Sequence, residues 1–183
     1  MDLPADLTQA GPTPLEGTVT TRSAPPAGVQ QRRLTFTDQR KYPGIVAAPR
    51  HWLRASPDGM QIAFLLKDDA GVVQLWTVSP NGGDPRQITH NSEGIASAIS
   101  WNADGRRIAH VVADRVCVTD VITGKTHPLT EVRSDARAPA ALACVFSPDG
   151  RSIAYQRDIA GPGGTFSQVF VVDVPGLNAL SNR

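Results

Sequence analysis

A four-residue turn that returns at a fixed interval constrains this chain more than any other feature. Ser56, Pro57, Asp58 and Gly59 recur as Ser147, Pro148, Asp149 and Gly150. A looser copy stands between them at Asn102, Ala103, Asp104 and Gly105. The period of about 45 residues is that of a repeat built from one supersecondary unit. Ser or Asn first, Pro second and Gly fourth is type I turn chemistry: proline presets φ, and glycine relieves the exit of the chain.

What flanks the turn repeats too. Trp52 and Leu53, Ile99 and Trp101, then Val145 and Phe146 come before it; Ile62, Ala63 and Phe64, Ile108, Ala109 and His110, then Ile153, Ala154 and Tyr155 follow it. Each set reads as two strands paired through the turn. Third strands are expected over residues 74–78, 116–121 and 168–174, where β-branched residues gather. Fourth strands end at Ile88 and Thr89, and at Leu129 and Thr130.

Four short antiparallel strands per repeat make the blade of a propeller. The fold class is therefore expected to be all-β: a partial β-propeller of about three four-stranded antiparallel blades, with repeats near residues 49–90, 95–131 and 139–175. The alternative is a sandwich of hairpins, which does not require the same four-part order to recur. Gly 16 and Pro 15 supply turns and interrupt every helical spacing of apolar residues.

The ends of the chain break the pattern. Residues 31–35 read Gln, Arg, Arg, Leu, Thr, parallel to residues 85–89, and are expected to form the fourth strand of a preceding blade. Asp2, Leu3 and Pro4 resemble Asp173, Val174 and Pro175, the exit of a third strand. Residues 1–30 are thus read as a mobile proline-rich loop or linker after a truncated blade, with Pro12, Pro14, Pro25 and Pro26, and residues 31–183 as the blades. The third repeat has no clear fourth strand. Closed rings need about four to eight blades, so the ring is not closed within this chain. Either further blades belong to a longer protein, or two copies complete a ring as a homodimer.

The repeat residues carry a family resemblance: residues 56–64, then Gln74, Leu75 and Trp76, then Arg86, Gln87, Ile88 and Thr89. This pattern resembles the TolB-like repeat, a WD40-like propeller motif found in the periplasmic Tol-system protein and in relatives of prolyl oligopeptidase. It covers residues 31 to about 174. A closer resemblance, carried by residues 31–36, by Tyr42, Pro43 and Gly44, and by Pro49, Arg50, His51 and Trp52, is to the C-terminal half of the uncharacterised bacterial YidR-like propeller family. That resemblance implies a further set of N-terminal blades and supplies no activity.

The formal net charge is +1, which leaves nucleic acid unexpected as a partner. No window approaches a transmembrane span, so no membrane insertion is expected. Cys117 and Cys144 lack paired spacing and sit in apolar runs, the signature of buried free thiols. The start has Asp2 and Asp6 and no basic region before an apolar run, unlike a secretory signal. The expectation is a cytoplasmic location, or a periplasmic one if the true start lies upstream.

Loops joining a fourth strand to the next first strand share one end of the blades with the second-to-third turns, the usual place for ligands. The longest such loop spans residues 37–49. With its flanks it holds Arg32, Arg33, Arg40, Lys41, Arg50 and Arg54 against the single acid Asp38. Arg40, Lys41, Tyr42, Arg50, His51 and Trp52 are the candidate ligand- or partner-binding residues, cations for an anion and rings for stacking. Solvated loop ends are the plain alternative.

Asp68 and Asp69 lie at the same end, but Lys67 beside them argues for solvation, and no metal site is expected. Asp135 between Arg133 and Arg137 reads as local charge pairing on a loop, and residues 161–164 as a hairpin tip. His110 occupies the place of Phe64 and Tyr155, as a packed strand histidine. No nucleophile elbow, zinc-protease, phosphate-loop or catalytic-cysteine motif occurs, so no catalytic residues and no cofactor are assigned. The expected function is a noncatalytic scaffold for a protein or a small anionic ligand. The alternative is part of a propeller that hosts or gates a hydrolase or lyase site completed by other blades.

Overall fold

The computed structural model describes residues 3–46, 52–132, 136–142 and 144–176. Contacts divide the chain into two units, Met1–Leu34 and Thr35–Arg183. In the described part of the first unit the regular pairing is one isolated bridge, Ala10 with Pro26, and the Ala27 amide donates to the Gln9 carbonyl at 2.8 Å. Residues 31–35 do not form the fourth strand their sequence suggests. A strand exists only through its neighbour, and no described strand pairs with this segment.

The second unit holds three antiparallel sheets. Blade 1 is β1 (Arg54–Ala55), β2 (Ile62–Lys67), β3 (Val73–Val78) and β4 (Arg86–Gln87), in that order across the sheet. Blade 2 repeats the order with β5 (Ser100–Trp101), β6 (Arg107–Val112), β7 (Arg115–Asp120) and β8 (Thr126–Pro128). The register repeats as well: Trp76 pairs with Gln87 in blade 1 and Cys117 with Pro128 in blade 2.

The recurring turn shows why its residues recur. The Gly59 amide donates to the Ser56 carbonyl at 2.9 Å, the Ser56 hydroxyl donates to Asp58 at 2.5 Å, and Asp58 accepts from the Met60 amide at 2.9 Å. Ser147, Asp149 and Gly150 repeat the set, and Gly59, Gly105 and Gly150 take φ of 70°, 66° and 69°. A side chain at the fourth position would meet its own backbone, and glycine removes that penalty.

Blade 2 is buried on both faces, and strand periodicity sorts its residues. Ile108, Val112, Cys117 and Val121 pack with Ala63, Leu65, Leu75 and Ile88 of blade 1. Ala109, Val111, Val116 and Val118 pack with Cys144, Ile153 and Val174 on the side of blade 3. Cys117 and Cys144 are unbonded thiols in these two cores. Burial pushes them up to about 11 and about 12, so both stay neutral.

Blade 3 departs from the repeat. Its β11 (Ser152–Gly161) and β12 (Gly164–Asp173) form a hairpin longer than the sequence suggests, closed by a two-residue tip at Pro162 and Gly163. β10 (Val145–Phe146) pairs with the start of β11, and β9 (Ala136–Pro139) pairs further along the same edge. The stretch around Arg137 is therefore strand where a loop was expected; Arg133 and Asp135, the other members of the expected charge pairing, lie outside the described residues. The reason is the length of β11: its outward carbonyls need donors, and the Ala140 amide supplies one to Gln156 at 2.8 Å. The three blades do not close a ring.

Candidate functional site

The loop after residue 35 folds onto the tip of the β2–β3 hairpin. The Thr37 hydroxyl accepts from the Gly44 amide at 2.9 Å and its carbonyl from the Arg40 amide at 3.0 Å, which closes residues 37–44 on themselves. The Val46 amide then donates to the Leu65 carbonyl at 2.8 Å and fixes the loop to blade 1.

That closure delivers three of the candidate residues to one place. The Arg40 guanidinium lies 4.7 Å from the centre of the Trp76 ring, donates to the Lys67 carbonyl at 3.1 Å and stands 3.7 Å from the Asp69 carboxylate. Lys41 donates to the Asp69 carbonyl at 3.2 Å. The Tyr42 ring receives the Lys41 ammonium at 5.3 Å and the Lys67 ammonium at 5.6 Å. A Cβ on Gly71 would come within 3.1 Å of that ring, so glycine lets the tyrosine lie on the hairpin. The Asp69 side chain is 90% exposed, and its ion pair with Arg40 contributes little. Stacking on Trp76 and the carbonyl bonds hold the loop.

Beneath this shelf is a fixed floor. Asp68 accepts from the Ala70 and Val72 amides at 3.0 and 2.9 Å and from the Gln74 side chain at 3.1 Å. Burial works against its charge, yet these bonds outweigh it and hold the carboxyl below the ordinary range. The carboxylate is thus committed to shaping its turn. Gln74, fully buried, also donates to the Asn91 carbonyl and accepts from Thr89 and the Asn91 amide, which joins the hairpin to the crossover toward blade 2.

The remaining candidates lie elsewhere. Trp52 is 62% exposed with the Arg54 guanidinium 5.6 Å from its ring, a separate pair from the shelf around Tyr42. Arg50 and His51 lie outside the described residues, and Arg32 and Arg33 belong to the first unit. Sequence reasoning missed Lys67, Gly71 and Trp76. The signal was present: the loop at residues 37–49 and the turn at Asp68 had been assigned to the same end of the blade.

Arg40→Ala removes the stacking and both tethers at once. It is expected to lower stability by about 1–2 kcal/mol, measured as the shift in urea unfolding. An unchanged midpoint would mean that the loop is held without Arg40.

Among the described residues, a hollow of about 230 Å³ beside Asn91 and Arg115 is smaller than ordinary ligand cavities of about 300–1,000 Å³. A further hollow, about 550 Å³, opens at the opposite end among Arg107, Asp149, Arg151 and Asp173. Its charges are mixed, and Arg107 is already paired with Asp104 at 2.8 Å.

No family model matches the chain. Over 146 residues it is 52% identical to the uncharacterised protein YidR of Escherichia coli strain K12, a match covering 80% of this chain and 35% of YidR. The chain thus spans about a third of the length of that relative. Among solved structures it is similar to oligogalacturonate lyase from Vibrio parahaemolyticus, with TM-score 0.54, 17% identity, and coverage of 69% of this chain and 32% of the lyase. It is also similar to the tricorn protease, with TM-score 0.51, 17% identity, and coverage of 70% of this chain and 12% of the protease. Identities this low show a shared fold alone.

Proposed function

We propose that this chain, an arc of TolB-like propeller blades similar in sequence to a stretch of YidR, is a noncatalytic scaffold that presents the shelf on blade 1 to an anionic partner. The observation that supports this most is the gathering of Arg40, Lys41 and Lys67 around the Tyr42 and Trp76 rings, where the exposed acids of the loop and the hairpin tip are Asp38 and Asp69.

The three cations have different parts in this reading. Arg40 is consumed by the loop itself. Lys41 makes one carbonyl bond and Lys67 faces the ring, which leaves ammonium protons on both for an acceptor. An anion held by the two lysines would lie where both ammonium groups approach the Tyr42 ring. The pre-formed loop spares the ordering that a flexible basic segment would need on binding.

Polyglutamate is a suitable probe, followed by tryptophan fluorescence and calorimetry. Binding is expected to weaken as salt rises, because exposed charges are screened over about 8 Å at physiological ionic strength. Reversing both charges, with Lys41→Glu and Lys67→Glu together, is expected to weaken it at least about tenfold. Equal affinity for the reversed and parent proteins would end this reading.

A further inference from the structure

We infer that the smaller hollow, between blades 1 and 2, is a binding site for a small α-amino acid, which places its carboxylate at Arg115 and Asn91 and its ammonium at Glu93. The hollow, of about 230 Å³, lies between two sheets whose four strands are all present. Its walls come from the crossover that joins the two blades, from the β6–β7 turn and from β7 and β8. None of its lining residues belongs to the shelf on blade 1.

Two donors in these walls lack acceptors. Among the described residues, Asn91 Nδ2 and Arg115 Nε are buried without a hydrogen-bond partner. Leaving a buried N–H unpaired costs about 1–3 kcal/mol, and native structures supply an acceptor to nearly all such groups. Arginine keeps its charge at any ordinary pH, and its Nε–H and Nη–H form a fork that fits a carboxylate.

The acid in the wall decides the rest. Glu93 lines the same hollow and is exposed, and among the described residues neither Glu93 nor Arg115 forms an ion pair. A plain anion would be opposed by Glu93, and a plain cation by Arg115. A neutral ligand would leave both charges unmet. A molecule that carries both charges a few bonds apart satisfies both. Size then limits the choice: at about 30 Å³ per non-hydrogen atom, the share of a water in the liquid, the hollow takes about seven such atoms. Alanine and serine are of that size.

The walls are set before a ligand arrives. The Asn91 amide donates to Gln74 Oε1 at 3.1 Å, and its carbonyl accepts from Gln74 Nε2 at 2.8 Å. Further along the crossover the Ile95 amide donates to the Val73 carbonyl at 2.9 Å, and Ile95 bridges to Val112. Across the hollow, Ala113 and Asp114 take φ of 51° and 58° directly before Arg115, a turn shape that glycine and asparagine usually supply. Walls fixed in this way lower the cost of ordering on binding.

Equilibrium dialysis of the full chain against labelled alanine tests the site. One alanine per chain should be retained at millimolar concentration. Propionate, which lacks the ammonium, and ethylamine, which lacks the carboxylate, should each bind at least about tenfold more weakly. Glu93→Gln should weaken alanine by a similar factor while leaving propionate unchanged or tighter, and Arg115→Gln should weaken both. Glu93 is exposed, so its substitution should leave the circular dichroism unaltered. No retained alanine, propionate bound as tightly as alanine, or alanine binding that ignores Glu93→Gln would each overturn the inference.

Discussion

Gly124→Ala is expected to destabilise the chain by about 3 kcal/mol or more, far more than alanine at another glycine of nearly the same backbone angle. Gly124 has φ +73°, and a Cβ there would stand 2.3 Å from the Ile88 carbonyl oxygen of the neighbouring blade. Neither side can retreat cheaply. The Ile88 amide is bonded to the Leu75 carbonyl at 2.8 Å, and the Gly124 amide to the Asp120 carbonyl at 2.8 Å. Asp120 further caps the turn through the Ile122 and Thr123 amides and is held by Arg106 at 2.8 Å. Gly59 is the control, because its φ is +70° and an added Cβ would meet nothing within 4 Å. Gly59→Ala should show the backbone penalty alone, about 1–2 kcal/mol. The difference between the two urea midpoints then measures how tightly blades 1 and 2 are pressed together. Equal losses would mean that the junction yields.

The parts of the fold that were legible from sequence are those fixed by local chemistry. Ser56, Asp58 and Gly59 bond to one another within a few residues, so their recurrence at 102–105 and 147–150 marked the three turns directly. Alternation in β6, where Ile108 and Ala109 serve opposite cores, likewise follows from the order of residues. What failed depends on neighbours distant in sequence. The Ala-Arg-Ala-Pro of β9 has no strand preference and carries a proline; the uncovered edge of β11 recruits it. Residues 31–35 have the residues of a fourth strand, which are insufficient without a third beside them. At the candidate site the cations at 40 and 41 were visible. Their contacts with Lys67, Asp69 and Trp76 were not, because only the folding of the loop onto the hairpin brings them together.

Lowering the pH from 6.5 to about 4 is expected to remove about 3 kcal/mol of stability through His110 alone. The histidine is fully buried, and burial pushes its pKa down to about 4 from the ordinary 6.5. In the unfolded chain the imidazole takes up its proton near pH 6.5, so between these values the unfolded state binds more protons and stability rises with pH. The contribution is complete above 6.5 and lost as pH falls through the folded value. Within the blade, His110 Nε2 pairs with the Thr119 hydroxyl at 2.7 Å, which in turn meets the Thr126 hydroxyl at 2.8 Å. Among the described residues the other ring nitrogen has no partner, and burial alone accounts for the lowered value. Asp58, Asp68, Asp120 and Asp149 also have lowered values, but from 3.8, so their loss sets in only toward pH 4 and is completed in stronger acid. His127 is lowered too, by burial first and then by Lys125, so its contribution also begins to be lost as pH falls through 6.5. His110→Phe separates the two, since Phe64 fills the corresponding place in blade 1 and is itself buried. At pH 7 the substitution should change stability by less than about 1.5 kcal/mol, because Thr119 keeps Thr126 as a partner. Urea unfolding at pH 7, 6, 5 and 4 should then give a much flatter profile than the parent, with the residual slope belonging to His127 and, toward pH 4, to the aspartates. Identical slopes would mean that a proton reaches His110 in the folded blade, which requires the interface between blades 1 and 2 to admit water.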